Sequence, residues 1–281
     1  MFVLIGTALG FVAASAFFAW KFTGPMHRLR PVEASTYLSS YETVTFSAQD
    51  GVRLAGWFVP CEKAKCAVVL LHGHGSQRTQ MLARARLLHD HGYAVLLYDA
   101  RGHGESEGRK VSLGWFETRD LLGAMDWLRT RGFAEFGCIG ASQGGSTIAL
   151  AAPQLKDVRW VVLESVFPTL ENAIDRRFRH VLGLPGWLAG LLMVPIAEWR
   201  LGVAIGDIAP ANHIAQLACP VLIVSGEKDV YTEPIDAQKL FAAAHEPKSF
   251  WLVPGAGHVD LYGFAKHDYE QHLLSFIAAA H

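Results

Sequence analysis

Apolar residues along this chain fall into short unbroken runs separated by segments of helical spacing. The runs are Ala67 to Leu71, Tyr93 to Tyr98, Phe136 to Ile139, Trp160 to Leu163, Val221 to Val224 and Phe250 to Val253. Apolar runs of this length without polar alternation predict strands buried on both faces of a parallel sheet. Between them, Arg78 to His91, Thr118 to Arg131, Gly145 to Ala152, Ile235 to Ala244 and Tyr262 to Ala280 carry the spacing of helices. Ahead of the first run, Glu42 to Phe46 alternates, Asp50-Gly51 signals a hairpin turn, and Arg53 to Val59 returns as a second strand. An opening hairpin followed by alternating strands and helices predicts an α/β fold: a mostly parallel central sheet with helices on both faces.

Two stretches depart from this rhythm. Phe167 to Leu217 separates two strands by far more than a usual connection and is strongly apolar. It is expected to be a helical lid, with Phe167, Leu184, Trp187, Leu191 and Met193 as candidate substrate-binding residues. At the other end, Met1 to Trp20 carries no charged side chain before Lys21. As a helix it would span about 30 Å, the thickness of a bilayer core. Residues 1–22 are therefore expected to form a membrane anchor. Arg28 and Arg30 after it would keep the following domain cytoplasmic. A cleaved signal peptide is the rival, since Ala14-Ser15-Ala16 resembles a cleavage site, and it would place the domain in a secreted or periplasmic setting. Residues 23–40 then read as a linker and 41–281 as the folded domain.

Composition narrows the function classes. The 281 residues are 51% hydrophobic and 18% charged, with a formal net charge of −1. No basic block is present, which disfavours a nucleic-acid partner. Cys138 and Cys219 read as core thiols; Cys61 and Cys66 flank a turn and would pair only in an oxidising compartment. No CxxC or HExxH spacing occurs, and His72, His74, His103 and His258 do not build a ligand set on one element. Neither Gly73-His74-Gly75 nor Gly102-His103-Gly104 completes a nucleotide-binding pattern. No cofactor or metal is expected.

The candidate chemistry sits where strands end. Gly140-Ala141-Ser142-Gln143-Gly144 lies between a strand and a helix, the setting of the nucleophile turn in which Gly-sized neighbours permit a strained serine. A serine hydroxyl needs a base, and the base an orienting acid. Asp229 follows the Val221–Val224 strand and His258 the Phe250–Val253 strand, so the three arise in the order Ser, Asp, His. Glu227 and Glu164 are rival acids near the same strand ends. Upstream, Leu71-His72-Gly73-His74-Gly75 follows the first buried strand, where backbone N–H groups of His74 and Gln143 would form an oxyanion hole.

With Tyr98-Asp99-Ala100-Arg101-Gly102-His103-Gly104-Glu105-Ser106, Ser225-Gly226-Glu227-Lys228-Asp229 and Gly257-His258, these motifs resemble the α/β-hydrolase superfamily from about Tyr41 to His281. More narrowly, the chain resembles the lid-bearing, often membrane-anchored Bem46-like hydrolases and the serine aminopeptidase-like branch. The resemblance implies a Ser142–His258–Asp229 triad and oxyanion N–H groups at His74 and Gln143. His74 stands where the group often has Asn or another small polar residue, so its imidazole is expected to narrow the pocket. The Asp99–Ser106 segment reads as architectural, held by a buried ion pair. The expected activity is hydrolysis of an ester-type substrate, a lipid-like or medium acyl ester, through an acyl-enzyme. The alternatives are an aminopeptidase-like enzyme or a tethered interaction module with an inactive triad.

Overall fold

The computed structural model of the chain describes residues 2–27, 32–191 and 193–280, with side chains from residue 10 onward. Eight strands form one sheet: β1 (Glu42–Ser47), β2 (Arg53–Val59), β3 (Cys66–Leu71), β4 (Ala94–Tyr98), β5 (Glu135–Ala141), β6 (Val158–Glu164), β7 (Val221–Gly226) and β8 (Lys248–Val253). Their spatial order is β1-β2-β4-β3-β5-β6-β7-β8. β1 and β2 form the expected antiparallel hairpin, and β2 joins β4 antiparallel. Every pairing from β4 through β3, β5, β6 and β7 to β8 is parallel.

Ten α-helices accompany the sheet: α1 (Phe2–Thr23), α2 (Leu82–Asp90), α3 (Glu117–Thr130), α4 (Gln143–Ala151), α5 (Leu170–Leu182), α6 (Met193–Leu201), α7 (Pro210–His213), α8 (Pro234–Ala243), α9 (Leu261–Phe264) and α10 (Lys266–Ala279). Alternate strand residues serve opposite faces, as the pleat requires. Val69 and Leu71 of β3 and Val161 and Leu163 of β6 pack with Leu121 and Met125 of α3, Ile148 of α4 and Leu240 of α8. Val68, Leu70, Trp160 and Val162 pack on the other face with Leu82 and Leu88 of α2 and Leu273 and Ile277 of α10. Helices on both faces explain why the parallel strands read as unbroken apolar runs. This is the α/β-hydrolase architecture.

The segment between β6 and β7 holds α5, a 3₁₀ stretch (Gly186–Leu191), α6 and α7. Thr169 caps α5 by accepting from the Asn172 N–H at 3.2 Å, and Gly183 ends it in the left-handed region at φ 65°.

The N-terminal expectation is corrected here. Among the residues whose side chains are described, no helix is long and apolar enough to cross a membrane. A spanning N-terminal anchor, and the membrane partner and location inferred from it, are therefore not supported. The last turns of α1 instead pack within the protein. Ala19 is 1% exposed among Ala189, Met193 and Ala197, and Arg200 of α6 donates to Thr23 Oγ1 at 2.9 Å. Met26 N–H then bonds the Gly102 carbonyl at 2.5 Å. Arg28 and Arg30, the basic flank of the expected anchor, lie outside the described residues. Ala34 and Leu38, in the stretch read as linker, are buried against the α2 face of the sheet.

Candidate active site

Ser142 sits at φ 49° and ψ −109°, a region that ordinary residues avoid and that costs about 1–3 kcal/mol. The surroundings enforce it. A Cβ on Gly140 would run into the Gly144 backbone, and one on Gly144 would run into the Leu71 carbonyl. Glycine at both positions lets β5 turn directly into α4 against β3. The Ser142 N–H donates to the Glu164 carbonyl at 2.7 Å, so the turn is tied to β6. Gln143 is the first residue of α4, and the first-turn N–H groups of a helix have no intrahelical acceptor.

Asp229 and His258 meet beyond the carboxyl ends of β7 and β8. His258 Nδ1 donates to Asp229 Oδ2 at 2.8 Å. Asp229 is buried, and its Oδ1 accepts the Tyr231 and Thr232 N–H groups, each at 2.9 Å. Thr232 Oγ1 donates to Oδ2 at 2.7 Å. Burial alone would raise the pKa of this carboxyl, but hydrogen bonds from His258 and Thr232 outweigh it and hold the group below its usual range. The rival acids are engaged elsewhere. Glu164 accepts from Arg84 at 2.6 and 2.9 Å and from the Tyr269 hydroxyl, while Glu227 accepts the Gly255 N–H at 2.8 Å.

The loop after β3 is knitted by buried histidines. His72 donates from Nδ1 to the Gly73 carbonyl at 2.8 Å, and its Nε2 accepts the Ala100 N–H at 3.0 Å. His103 donates from Nδ1 to the Arg101 carbonyl at 3.0 Å and accepts the Gly75 N–H on Nε2 at 3.2 Å. These donor and acceptor roles need neutral rings. Burial, with His103 nearby, pushes the His72 pKa down to about 3 and that of His74 to about 4. His74 Nε2 donates to the Phe22 carbonyl at 3.1 Å, and its ring stacks on Phe22. The ion pair expected to hold the Asp99–Ser106 segment does not form between Asp99 and Arg101; each pairs outside its own loop. Asp99 pairs with Arg78 at 2.7 Å, and Arg101 with Asp120 and Asp50, each at 2.7 Å.

Two cavities meet at Ser142, His74 and His258, all of which line both. One, of about 110 Å³, is walled by apolar side chains of α1, α5 and α6, including Ala19, Phe22, Leu170, Ile174 and Val194. The other, of about 180 Å³, is bordered by Ser76, Gln80, Ser165 and Asp260. Of the five apolar residues read from the sequence as substrate-binding, Phe167 and Met193 line the first cavity. Leu184, Trp187 and Leu191 do not line it. They are 44%, 66% and 53% exposed and point to solvent.

Sequence reasoning missed several lining residues. Ala19, Phe22 and Thr23 reach the cavity only because α1 packs on α6, a contact between distant segments with no local signal. Thr232 had a weak one: a hydroxyl three residues after the acid is placed to bond it. Tyr231 stacks edge-on against His258 with centroids 5.5 Å apart, and the Arg177 guanidinium lies over the Tyr231 ring, 4.3 Å from its centroid. The four cysteines are free thiols, Cys61 and Cys66 included. Among the described residues no three His, Cys, Asp or Glu side chains group to hold a metal ion.

Comparison with known proteins agrees with this architecture. Residues 62–197 match the family model described as serine aminopeptidase, S33. An uncharacterized protein of Mycobacterium tuberculosis is 31% identical over 232 residues, covering 81% of this chain and 75% of that protein. A polyketide transferase of a Penicillium species is 25% identical over 262 residues, covering 77% of this chain and 89% of its own length. The solved structure of a Pyrococcus furiosus esterase superposes with a TM-score of 0.77 at 22% identity, covering 92% of this chain and 98% of the esterase. Its likeness speaks for the fold alone. With the sheet order, the strained serine turn and this similarity together, the chain belongs to the serine aminopeptidase, S33, family of α/β hydrolases.

Proposed function

We propose that the protein is a serine hydrolase that cleaves a small acyl ester through an acyl-enzyme. The observation that carries this reading is the His258 Nδ1 to Asp229 Oδ2 hydrogen bond at 2.8 Å, with His258 Nε2 left for the serine proton and Ser142 on the same cavity. In this mechanism Ser142 Oγ attacks the ester carbonyl as His258 takes its proton, and Asp229 holds the imidazole in the required tautomer. Backbone N–H groups of His74 and Gln143 receive the developing oxyanion, each contributing roughly 3–4 kcal/mol of transition-state stabilisation. His258 then protonates the leaving alcohol, and water attacks the acyl-enzyme with the same histidine as base.

The segment between β6 and β7 acts in this reading as a lid. Phe167 and Met193, together with Phe22 of α1, form the acyl wall. A wall that is apolar apart from Arg177 favours an acyl chain over a substrate amine, which the guanidinium would repel. Of the four carboxylates a peptidase could turn to a substrate amine, three have other partners: Glu164 binds Arg84, Asp175 binds Arg179 and the Gly186 N–H, and Glu198 accepts the Ile205 N–H. The fourth, Glu171, is exposed and lines neither cavity.

The test is labelling of the full chain with a fluorophosphonate at neutral pH, alongside turnover of short p-nitrophenyl esters. Wild type should label and Ser142→Ala should not. A folded wild type that neither labels nor turns over ester would favour the interaction-module alternative and end the enzymatic reading.

A further inference from the structure

We propose that the polar half of the cleft is a leaving-group subsite that selects an alcohol bearing a second hydroxyl close to the ester oxygen. This rests on the reading of Ser142 as nucleophile. The cleft is divided at Ser142, with walls that are apolar apart from Arg177 and a few hydroxyls on one side and Ser76, Gln80, Ser165 and Asp260 on the other. An ester lying across Ser142 has two arms, and the apolar cavity accepts only the acyl arm without stranding polar groups. The alcohol arm then extends into the polar cavity, on the side where His258 also contributes wall.

Ser165 supplies the recognition. It follows β6, is 5% exposed, and its Oγ has no hydrogen-bond partner among the described residues. Its backbone is held at φ 49°, with its N–H donating to the Val224 carbonyl at 2.8 Å, so the direction of its Cβ is set by the fold. A buried hydroxyl without a partner is destabilising, and a fold retains one where a ligand or water completes it. Gln80 Oε1 already accepts the Gly73 N–H at 2.9 Å, which leaves its amide nitrogen as the remaining donor. The carboxylates bordering this half are committed: Glu164 and Asp260 both pair with Arg84, at 2.6 and 2.7 Å. Neutral hydroxyl partners remain, and a neutral polar alcohol matches them better than an amine.

The step balances without a further reactant. The bond from Ser142 Oγ to the acyl carbon forms and the bond from that carbon to the alcohol oxygen breaks. The serine proton passes through His258 to the alcohol, and water later releases the acid.

The experiment measures kcat/KM of the full chain for three butanoate esters that share the acyl arm: propan-1-ol, propane-1,2-diol and choline. The diol ester should exceed the propyl ester by about tenfold or more, because a site built to bond a hydroxyl rejects the analogue lacking it. Ser165→Ala should bring that ratio close to one, and Ser165→Gly, which tolerates the left-handed backbone, should do the same. Equal rates for diol and propyl esters, or an unchanged ratio in both variants, overturn the subsite. A preference for the choline ester overturns it in favour of a cation site. Failure of the parent reading looks different: no ester is hydrolysed and Ser142 does not label.

Discussion

The carbonyl oxygen of Phe22, near the end of the first helix, accepts a hydrogen bond from His74 Nε2 at 3.1 Å. It ties α1 to the loop after β3, so the N-terminal helix is a wall of the cleft. Phe22→Ala should therefore lengthen the acyl cavity. We predict a shift in preference toward p-nitrophenyl esters longer by two or more carbons, with little change in thermal stability. An unaltered chain-length profile would remove α1 from the substrate wall.

The support beneath Asp229 predicts a graded defect. Thr232 Oγ1 donates to the same carboxylate oxygen that receives His258. Thr232→Val keeps the shape and deletes that donor, so kcat should fall by about tenfold while KM moves little, as for other groups that orient a catalytic partner. Its pH–rate profile should shift on the acidic side, since the carboxyl loses one of the bonds that hold its pKa down. A changed KM with unchanged kcat would contradict this.

Acid should destabilise the fold before it titrates ordinary carboxylates. His72 and His74 are held neutral, with pKa values near 3 and 4 against an ordinary 6.5. Between pH 6.5 and 4 the unfolded chain binds protons at these sites that the native chain excludes. Stability is therefore intact above about 6.5 and falls as pH drops, by about 1.4 kcal/mol per pH unit for each ring. Urea midpoints at pH 7.5, 6 and 5 check it, and a midpoint that holds steady over this range would refute it.

Arg84 is buried between Glu164, Asp260 and the Tyr269 and Tyr262 rings. Arg84→Met leaves the Glu164 carboxylate buried and unpaired, at a cost of about 3–5 kcal/mol. The double variant with Glu164→Gln should recover part of that loss. Chemical denaturation of wild type, both single variants and the double variant measures it; a double-variant loss equal to the sum of the two single losses would mean the pair is uncoupled.

The strands, the helices and the serine turn were legible because each is a local matter. Val68 to Leu71 reads as a buried strand from its own side chains, and Gly140 and Gly144 announce a crossing that tolerates no Cβ. The positions of Asp229 and His258 after strand ends were legible for the same reason, whereas the partners that Asp229, Glu164 and Glu227 find come from distant segments and were not.

Where a side chain ends up across the fold was not legible. Trp187 and Met193 look alike as apolar residues of one insertion, yet Trp187 faces solvent and Met193 the cavity. The end of the first helix looked like part of a bilayer span because an apolar residue such as Ala19 reads the same whether lipid or protein covers it. The sequence by itself determined the sheet, the layers and the placement of Ser142, Asp229 and His258 at strand ends, since periodicity and turn geometry act over a few residues. Only the tertiary structure decided which surfaces cover the cleft, because burial between distant segments depends on how the whole chain packs.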